Sequence, residues 1–294
     1  MPSLKEVRNR IVSVNSTQQI TKAMKMVSAA KLRRAQDATI QLRPYANKMM
    51  DLLASVSANA EVALSNPFKI ARPVESLLVI VVTSDRGLCG AFNANVAKAA
   101  LAVIEEKYPN QKASGNITIM PIGKKGAEFF TKRGYKIAGN HIFTYSNLSF
   151  VTVRKAAEEA MAGFVEGKYD AVEIVYNQFK NVATQVLSTE QFLPIAPKKV
   201  AKKESSNNDF IFEPSEEQII NDLIPKSLKL QLYKSVLESN AAEHGARMTA
   251  MDKATDNAGE LLKELKLVYN RSRQAAITKE ILEIVGGAEA LAAN

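Results

Sequence analysis

The segment Thr83-Ser84-Asp85-Arg86-Gly87-Leu88-Cys89-Gly90 has the residue types and position to do chemistry. It follows a continuous apolar run, Leu77 to Val82, and precedes a helical pattern over 91–107. A Gly-containing turn between a strand and a helix can offer free N–H groups to a phosphate. The full G-x-G-x-x-G fingerprint is missing, however, and no acidic residue ends a second strand at the usual place. Gly123-Lys124-Lys125-Gly126 does not have P-loop spacing either. A nucleotide-binding α/β enzyme using the 85–90 turn is one reading, and a structural turn is the better-supported one.

No other segment assembles a catalytic set. His141 and His244 fall in unrelated segments, and each reads as structural. One cysteine can form neither an internal disulfide nor a zinc site. Cys89 has no obvious base beside it, so an inert small residue is expected rather than a nucleophile. No catalytic, cofactor-binding or metal-ligating residues are therefore assigned.

The elements around the turn follow from hydrophobic period. Residues 74–213 alternate strand-like runs with helical stretches, which argues for a layered α/β domain. The strands are expected at Leu77–Val82, Asn116–Ile122, Ala171–Tyr176 and Ala183–Ser188, with helices near 91–107, 124–133 and 149–167. The polar stretch Lys198 to Asn208 reads as an exposed loop before a last short strand, Asp209 to Phe212.

Both ends of the chain read as long helices. From Leu4, alternate steps of three and four give Val7, Ile11, Val14, Gln18, Thr21, Lys25, Ser28, Leu32, Ala35, Thr39, Leu42, Ala46, Met49, Leu53, Val56 and Ala60. With Leu4 included, twelve of the seventeen positions are apolar, as a coiled-coil seam requires. Pro2 and Ser3 suit a helix start, and Pro44 predicts a kink. Residues 4–60 as one helix would run about 85 Å and would have to protrude. The polar exceptions cluster at Gln18, Thr21, Lys25 and Ser28, while Ile20, Met24 and Val27 offer apolar groups on a shifted face. Such a stretch suits a helix touching several surfaces; a solvated stretch with a local stutter is the simpler alternative.

The second helical pattern runs from Glu216 to Leu291, with an interruption at Pro225. Its stripe is Leu237, Ala241, His244, Met248, Met251, Thr255, Ala258, Leu262 and Leu265, continued with a drift by Val268, Ala275, Leu282 and Val285. Gly286-Gly287 should weaken the last turn. If the two helices pair, each leaves the central segment near the same place, so the pair is antiparallel. The expected architecture is α/β, with a coiled-coil helix at 1–60, a central Rossmann-like α/β domain at 74–213 and a second coiled-coil helix at 214–294.

Charge is uneven. Residues 1–60 carry ten Lys/Arg against three acids, so most of the chain's net +9 lies on the first helix. Nucleic acid is a poor match, because no aromatic residue occurs before Tyr45 and no Gly-rich or zinc motif accompanies the basic residues. An acidic protein surface is the better-supported partner. No apolar run reaches the length of a membrane span. The basic N-terminus is like a transit peptide, but its pattern continues into the long helix, so mature structure in a reducing compartment is expected.

Several segments carry a resemblance to a known family. They are Ile20-Thr21-Lys22-Ala23-Met24-Lys25-Met26-Val27 near the start and Ser84 to Gly90 in the middle. Near the end are Ala246-Arg247-Met248, Ala254 to Ala258, Leu267 to Asn270, Arg273 to Glu280 and Glu283 to Ala288. The chain resembles the γ subunits of F-type ATP synthases over nearly its whole length. That resemblance implies a left-handed antiparallel coiled coil inside a ring of α and β subunits, with the α/β domain at the foot beside ε and the c-subunit ring. It implies a rotor shaft that couples ion flow to ATP synthesis or hydrolysis on β, with no catalytic site or cofactor of its own. The contact residues it implies are Met24, Lys25 and Arg247 near acidic loops of β, and Arg273, Gln274, Thr278 and Glu283 higher in the ring. Contact with the membrane would be peripheral, through the c ring, on the cytoplasmic face of a bacterial inner membrane. A dithiol regulatory insertion, known in the chloroplast form, has no counterpart, since Cys89 stands alone.

Overall fold

The structure, a computed structural model, describes residues 3–57, 66–181, 184–195 and 216–292. The expected strand at 209–212 and the Lys-rich stretch at 198–208 lie outside the described residues. The chain divides into two compact units: Ala29–Arg247, and Met1–Ser28 together with Met248–Asn294.

The larger unit holds a five-stranded sheet in the order β3-β2-β1-β4-β5. Its strands are β1 (Leu77–Val82), β2 (Ile117–Ile122), β3 (Lys136–Ile137), β4 (Ala171–Phe179) and β5 (Gln185–Leu193). The first four run parallel, and β5 returns antiparallel to β4. All six residues of β1 are buried, because helices cover both faces of the strand. Alternate side chains serve the two faces. Leu77, Val79 and Val81 meet Val96, Ala97, Ala100 and Ile104 of α2 (Phe92–Lys107) and Phe130 of α4 (Lys124–Thr131). Leu78, Ile80 and Val82 meet Val153, Ala156, Ala160 and Phe164 of α5 (Phe150–Val165).

That second layer has another component, which the periodicity did not predict. Ile224, Leu228, Leu232 and Val236 of α6 (Glu216–Ala292) join the same core. On another face of α6, Leu230 packs with Ala46 and Met49 of α1 (Leu4–Ser57). This stretch of α6 is buried nearly all round, since it separates the sheet from α1. Pro225 lies inside α6 and does not divide it, and α6 also runs through Gly286-Gly287. The helix α3 (Pro109–Ser114) and the two-residue β3 were too short to show a period. No helix among the described residues is long and apolar enough to cross a membrane.

In the smaller unit the first part of α1 pairs with the later part of α6. Gln18 reaches Thr255 and Lys25 reaches Asp252, so residue numbers fall on one helix as they rise on the other, and the pair is antiparallel. Buried Val7, Thr21 and Ser28 face a row of Met251, Ala258, Leu262 and Leu265. A Cβ at Gly259 would stand 3.0 Å from Gln18 Nε2, so a larger residue there would crowd the side chain that bonds to the Thr255 carbonyl.

Candidate functional site

The strand-to-helix turn comes first. Strand β1 ends at Val82, and Thr83 Oγ1 accepts a 2.8 Å bond from the Gly126 N–H at the start of α4. The Ser84 N–H donates to Asn93 Oδ1 at 2.9 Å, and Ser84 Oγ donates to the Arg86 carbonyl at 2.6 Å. Asp85 Oδ1 accepts from the Lys124 N–H at 3.1 Å. Leu88 has a φ of 63°, left-handed backbone that a branched residue seldom adopts, and its side chain is 66% exposed. Cys89 turns inward against Phe92 and Ala242, with Asn93 Nδ2 3.3 Å from its sulfur. Burial pushes the Cys89 thiol pKa up, so the thiolate needed of a nucleophile is disfavoured. Thus the Ser84 amide and the Asp85 carboxylate already have partners within the fold.

Arg247 closes the turn from the α6 side. Its Nη2 donates to the carbonyls of Arg86 and Gly87, at 3.1 Å each, while Nη1 pairs with Glu243 one helical turn earlier. Both side chains of the pair are about nine-tenths buried, at 10% and 8% exposure. Sequence reasoning had no signal for these internal partners beyond the i,i+4 spacing of Glu243 and Arg247.

The polar cluster on α1 lies in the seam rather than off it. Thr21 is 8% exposed and Ser28 2% exposed. Each is satisfied locally: Thr21 Oγ1 donates to the Gln18 carbonyl, and Ser28 Oγ to the Met24 carbonyl. Across the seam Thr255 Oγ1 lies 2.8 Å from Thr21 Oγ1, and Gln18 Nε2 donates to the Thr255 carbonyl at 3.3 Å. Lys25 Nζ pairs with Asp252 at 2.5 Å, with the two side chains 41% and 48% exposed. Met24 is half-buried beside them, whereas Ile20 and Val27 project outward at 59% and 56% exposure.

Arg273, Gln274, Thr278 and Glu283 are all exposed on α6. Glu283 is paired only loosely with Lys279, at 3.5 Å. The seam register carries these residues to the end of α1 and past it, because Lys25 opposes Asp252 and α1 begins at Leu4. The half-buried face there runs through Tyr269, Ser272 and Ala276, not through Val268, Ala275, Leu282 and Val285 as the drift in register suggested. Ile277, Ile281, Leu282, Ile284 and Val285 are between 47% and 71% exposed, so this helix end presents a broad apolar face, with Lys279, Glu280 and Glu283 on the opposite side.

Comparison with known proteins agrees over the full length. A family model described as ATP synthase matches residues 3–291. The ATP synthase gamma chain of Cytophaga hutchinsonii is 62% identical over 293 residues, covering 99% of each chain. That of Flavobacterium johnsoniae is 53% identical over 291 residues, again with 99% of each covered. Among solved structures, a chain of the Tetrahymena thermophila mitochondrial ATP synthase central stalk and c-ring is 26% identical, with a TM-score of 0.57 over 80% of this chain and 99% of that one. A chain of the Euglena gracilis mitochondrial OSCP/F1/c-ring assembly has the same fold, with a TM-score of 0.66 over 98% of this chain and 94% of that one, at 22% identity.

Proposed function

The chain belongs to the ATP synthase gamma-chain family, and from that premise we propose how its residues work. It is the central rotor subunit of an F-type ATP synthase, a subunit of a membrane-associated enzyme complex. The observation that carries this is 62% identity to a gamma chain with 99% of both chains covered. In our reading the catalytic sites lie on β, and this chain carries none of its own. Its partners are the α and β subunits of the ring, the ε subunit and the ring of c subunits. Its place is the cytoplasmic face of a bacterial inner membrane, reached through the c ring.

The mechanism is an asymmetric contact that moves. To swing a β subunit from 1:99 to 99:1 between two conformations, the shaft must favour one of them by about 5.5 kcal/mol. Contacts worth that much must also release as the shaft turns, which suits exposed polar groups better than a continuous apolar stripe. Lys25, with Met24 beside it, is set to attract acidic loops of β. Arg273, Gln274, Thr278 and Glu283, exposed on α6, are set to meet loops higher in the ring, and the apolar face near them suits a close-fitting sleeve. Arg247 belongs to the same zone of the sequence, but its guanidinium is engaged internally, so its part in coupling is indirect.

Cross-linking tests this placement. Cysteines introduced as Thr278→Cys or Glu283→Cys should cross-link to α or β through a short bifunctional reagent in the assembled complex. Cross-links to ε or c subunits alone would show that this end of α6 lies elsewhere.

A further inference from the structure

The Ser84–Gly90 turn reads like a phosphate loop, yet the rotor reading gives it no task. Its partners suggest one. Leu88 sits in left-handed backbone with its side chain 66% exposed, so its own packing does not hold it there. Three sets of contacts do: Ser84 Oγ on the Arg86 carbonyl, Cys89 seated against Phe92 and Ala242, and Arg247 on the carbonyls of Arg86 and Gly87. Ala242 is fully buried and Ala246 packs on the same cluster, so small residues on α6 let the turn approach the helix.

A guanidinium suits this position because its rigid fork can serve one carboxylate and two carbonyls together; an ammonium cannot hold the same geometry. The pair is also buried enough that removing one partner leaves the other uncompensated. Elsewhere in the larger unit α6 meets the α/β layer largely through Ile224, Leu228, Leu232 and Val236, which are non-directional contacts. Directional ties include Lys229 to Glu158, Gln231 to Glu190 and Arg247 to the turn. Of these, Arg247 lies furthest along α6. Its hydrogen bonds depend on the rotational setting of the helix, since one residue of a helix corresponds to about 100° of rotation.

We infer that Arg247 is a positioning residue for rotary coupling: with Glu243 it clamps the Arg86 and Gly87 carbonyls and fixes the rotational setting of this stretch of α6 against the α/β domain. The inference rests on the rotor reading for its consequence, and on the turn geometry alone for the clamp. A load that twists α6 is then borne by the turn rather than lost as slippage against apolar side chains.

The single cysteine provides a direct readout, because Cys89 is 1% exposed beneath the clamped turn. In the purified full chain, Arg247→Ala should label with a small maleimide at least about tenfold faster than wild type, as a local opening would give. Glu243→Gln and Arg247→Lys should fall between. In complexes with the other subunits, ions pumped per ATP hydrolysed should fall in the same order, with Arg247→Lys partly rescued. Unchanged Cys89 protection in Arg247→Ala would overturn the clamp. So would lost coupling without faster labelling, which would mean that Arg247 acts by touching a partner subunit. Faster labelling with intact coupling would overturn the positioning role. If Arg247→Ala does not fold, Arg247→Lys and Glu243→Gln carry the same comparison. A wild-type chain that forms no active complex would refute the rotor reading instead, and the labelling series would still judge the clamp.

Discussion

Reversing the Lys25–Asp252 pair separates a contact made within the chain from one made to a partner. Both side chains are nearly half exposed, at 41% and 48%, so solvent screens the pair and it contributes at most about 1 kcal/mol. Lys25→Asp and Asp252→Lys should each lower the thermal midpoint of the full chain by no more than about 5 °C, on the scaling for chains above 150 residues. The double reversal restores an ion pair of the same spacing and should recover most of that loss. Coupling should behave differently. In the rotor reading Lys25 works by presenting positive charge to acidic loops of β, so Lys25→Asp lowers ATP-driven ion pumping per ATP hydrolysed, and the double reversal does not restore it. Asp252→Asn, which frees Lys25, should leave coupling near wild type. The assay is ion pumping in membrane vesicles carrying the assembled complex, beside melting curves of the purified chain. If the double reversal restores coupling together with stability, Lys25 acts through its internal pair and the proposed contact with β is wrong.

Three further expectations concern the larger unit. Gly123 has φ 102°, and a Cβ there would lie 2.1 Å from the Thr83 carbonyl oxygen, whereas Gly134 has φ 77° and nothing within 4 Å. Gly134→Ala should therefore cost about 1–2 kcal/mol for backbone strain alone and Gly123→Ala distinctly more, and equal urea midpoints would contradict the steric account. Glu173 is 1% exposed on β4 and is held by Tyr108 Oη at 3.0 Å and Lys107 Nζ at 3.3 Å. Tyr108→Phe should cost about 2 kcal/mol, since the lost bond is to a buried carboxylate, and an unchanged urea midpoint would refute that. Burial, then Arg247 and Lys31, lower the His244 pKa from 6.5 to about 4. The unfolded chain therefore binds more protons than the folded chain between those values, and this group lowers stability as pH falls through 6.5 towards 4. His244→Gln should lose less thermal stability than wild type between pH 7.5 and pH 5, and parallel losses would refute the assignment.

The structure makes clear which of these features the sequence could reveal. Every residue of the step from Leu4 to Met49 on α1 is buried or half-buried, its polar members included. Thr21 and Ser28 stay in the seam because their hydroxyls bond to carbonyls of their own helix, so the register need not shift to solvate them. The strand at 77–82 was legible because a parallel sheet covered on both faces leaves an unbroken apolar run, and 171–176 was legible although Glu173 interrupts its apolar residues. Two features were not legible. Residues 224–236 of α6 serve the sheet and α1 at once, and a helix buried on opposite faces has no single stripe to read. Arg247 looked like a surface contact, because neither of its carbonyl partners leaves a side-chain signature in the sequence.

The central claim, that this chain makes a ring of α and β subunits turn over as one machine, is tested most directly by ATP hydrolysis. Purified α and β from the same source would be measured with and without this chain, alongside the chain alone. The account predicts that the chain alone neither binds nor hydrolyses ATP, and that adding it yields a stable complex with sustained turnover. A chain that hydrolyses ATP by itself and leaves α and β unchanged would contradict it, and would return the chemistry to the turn at Asp85–Gly90.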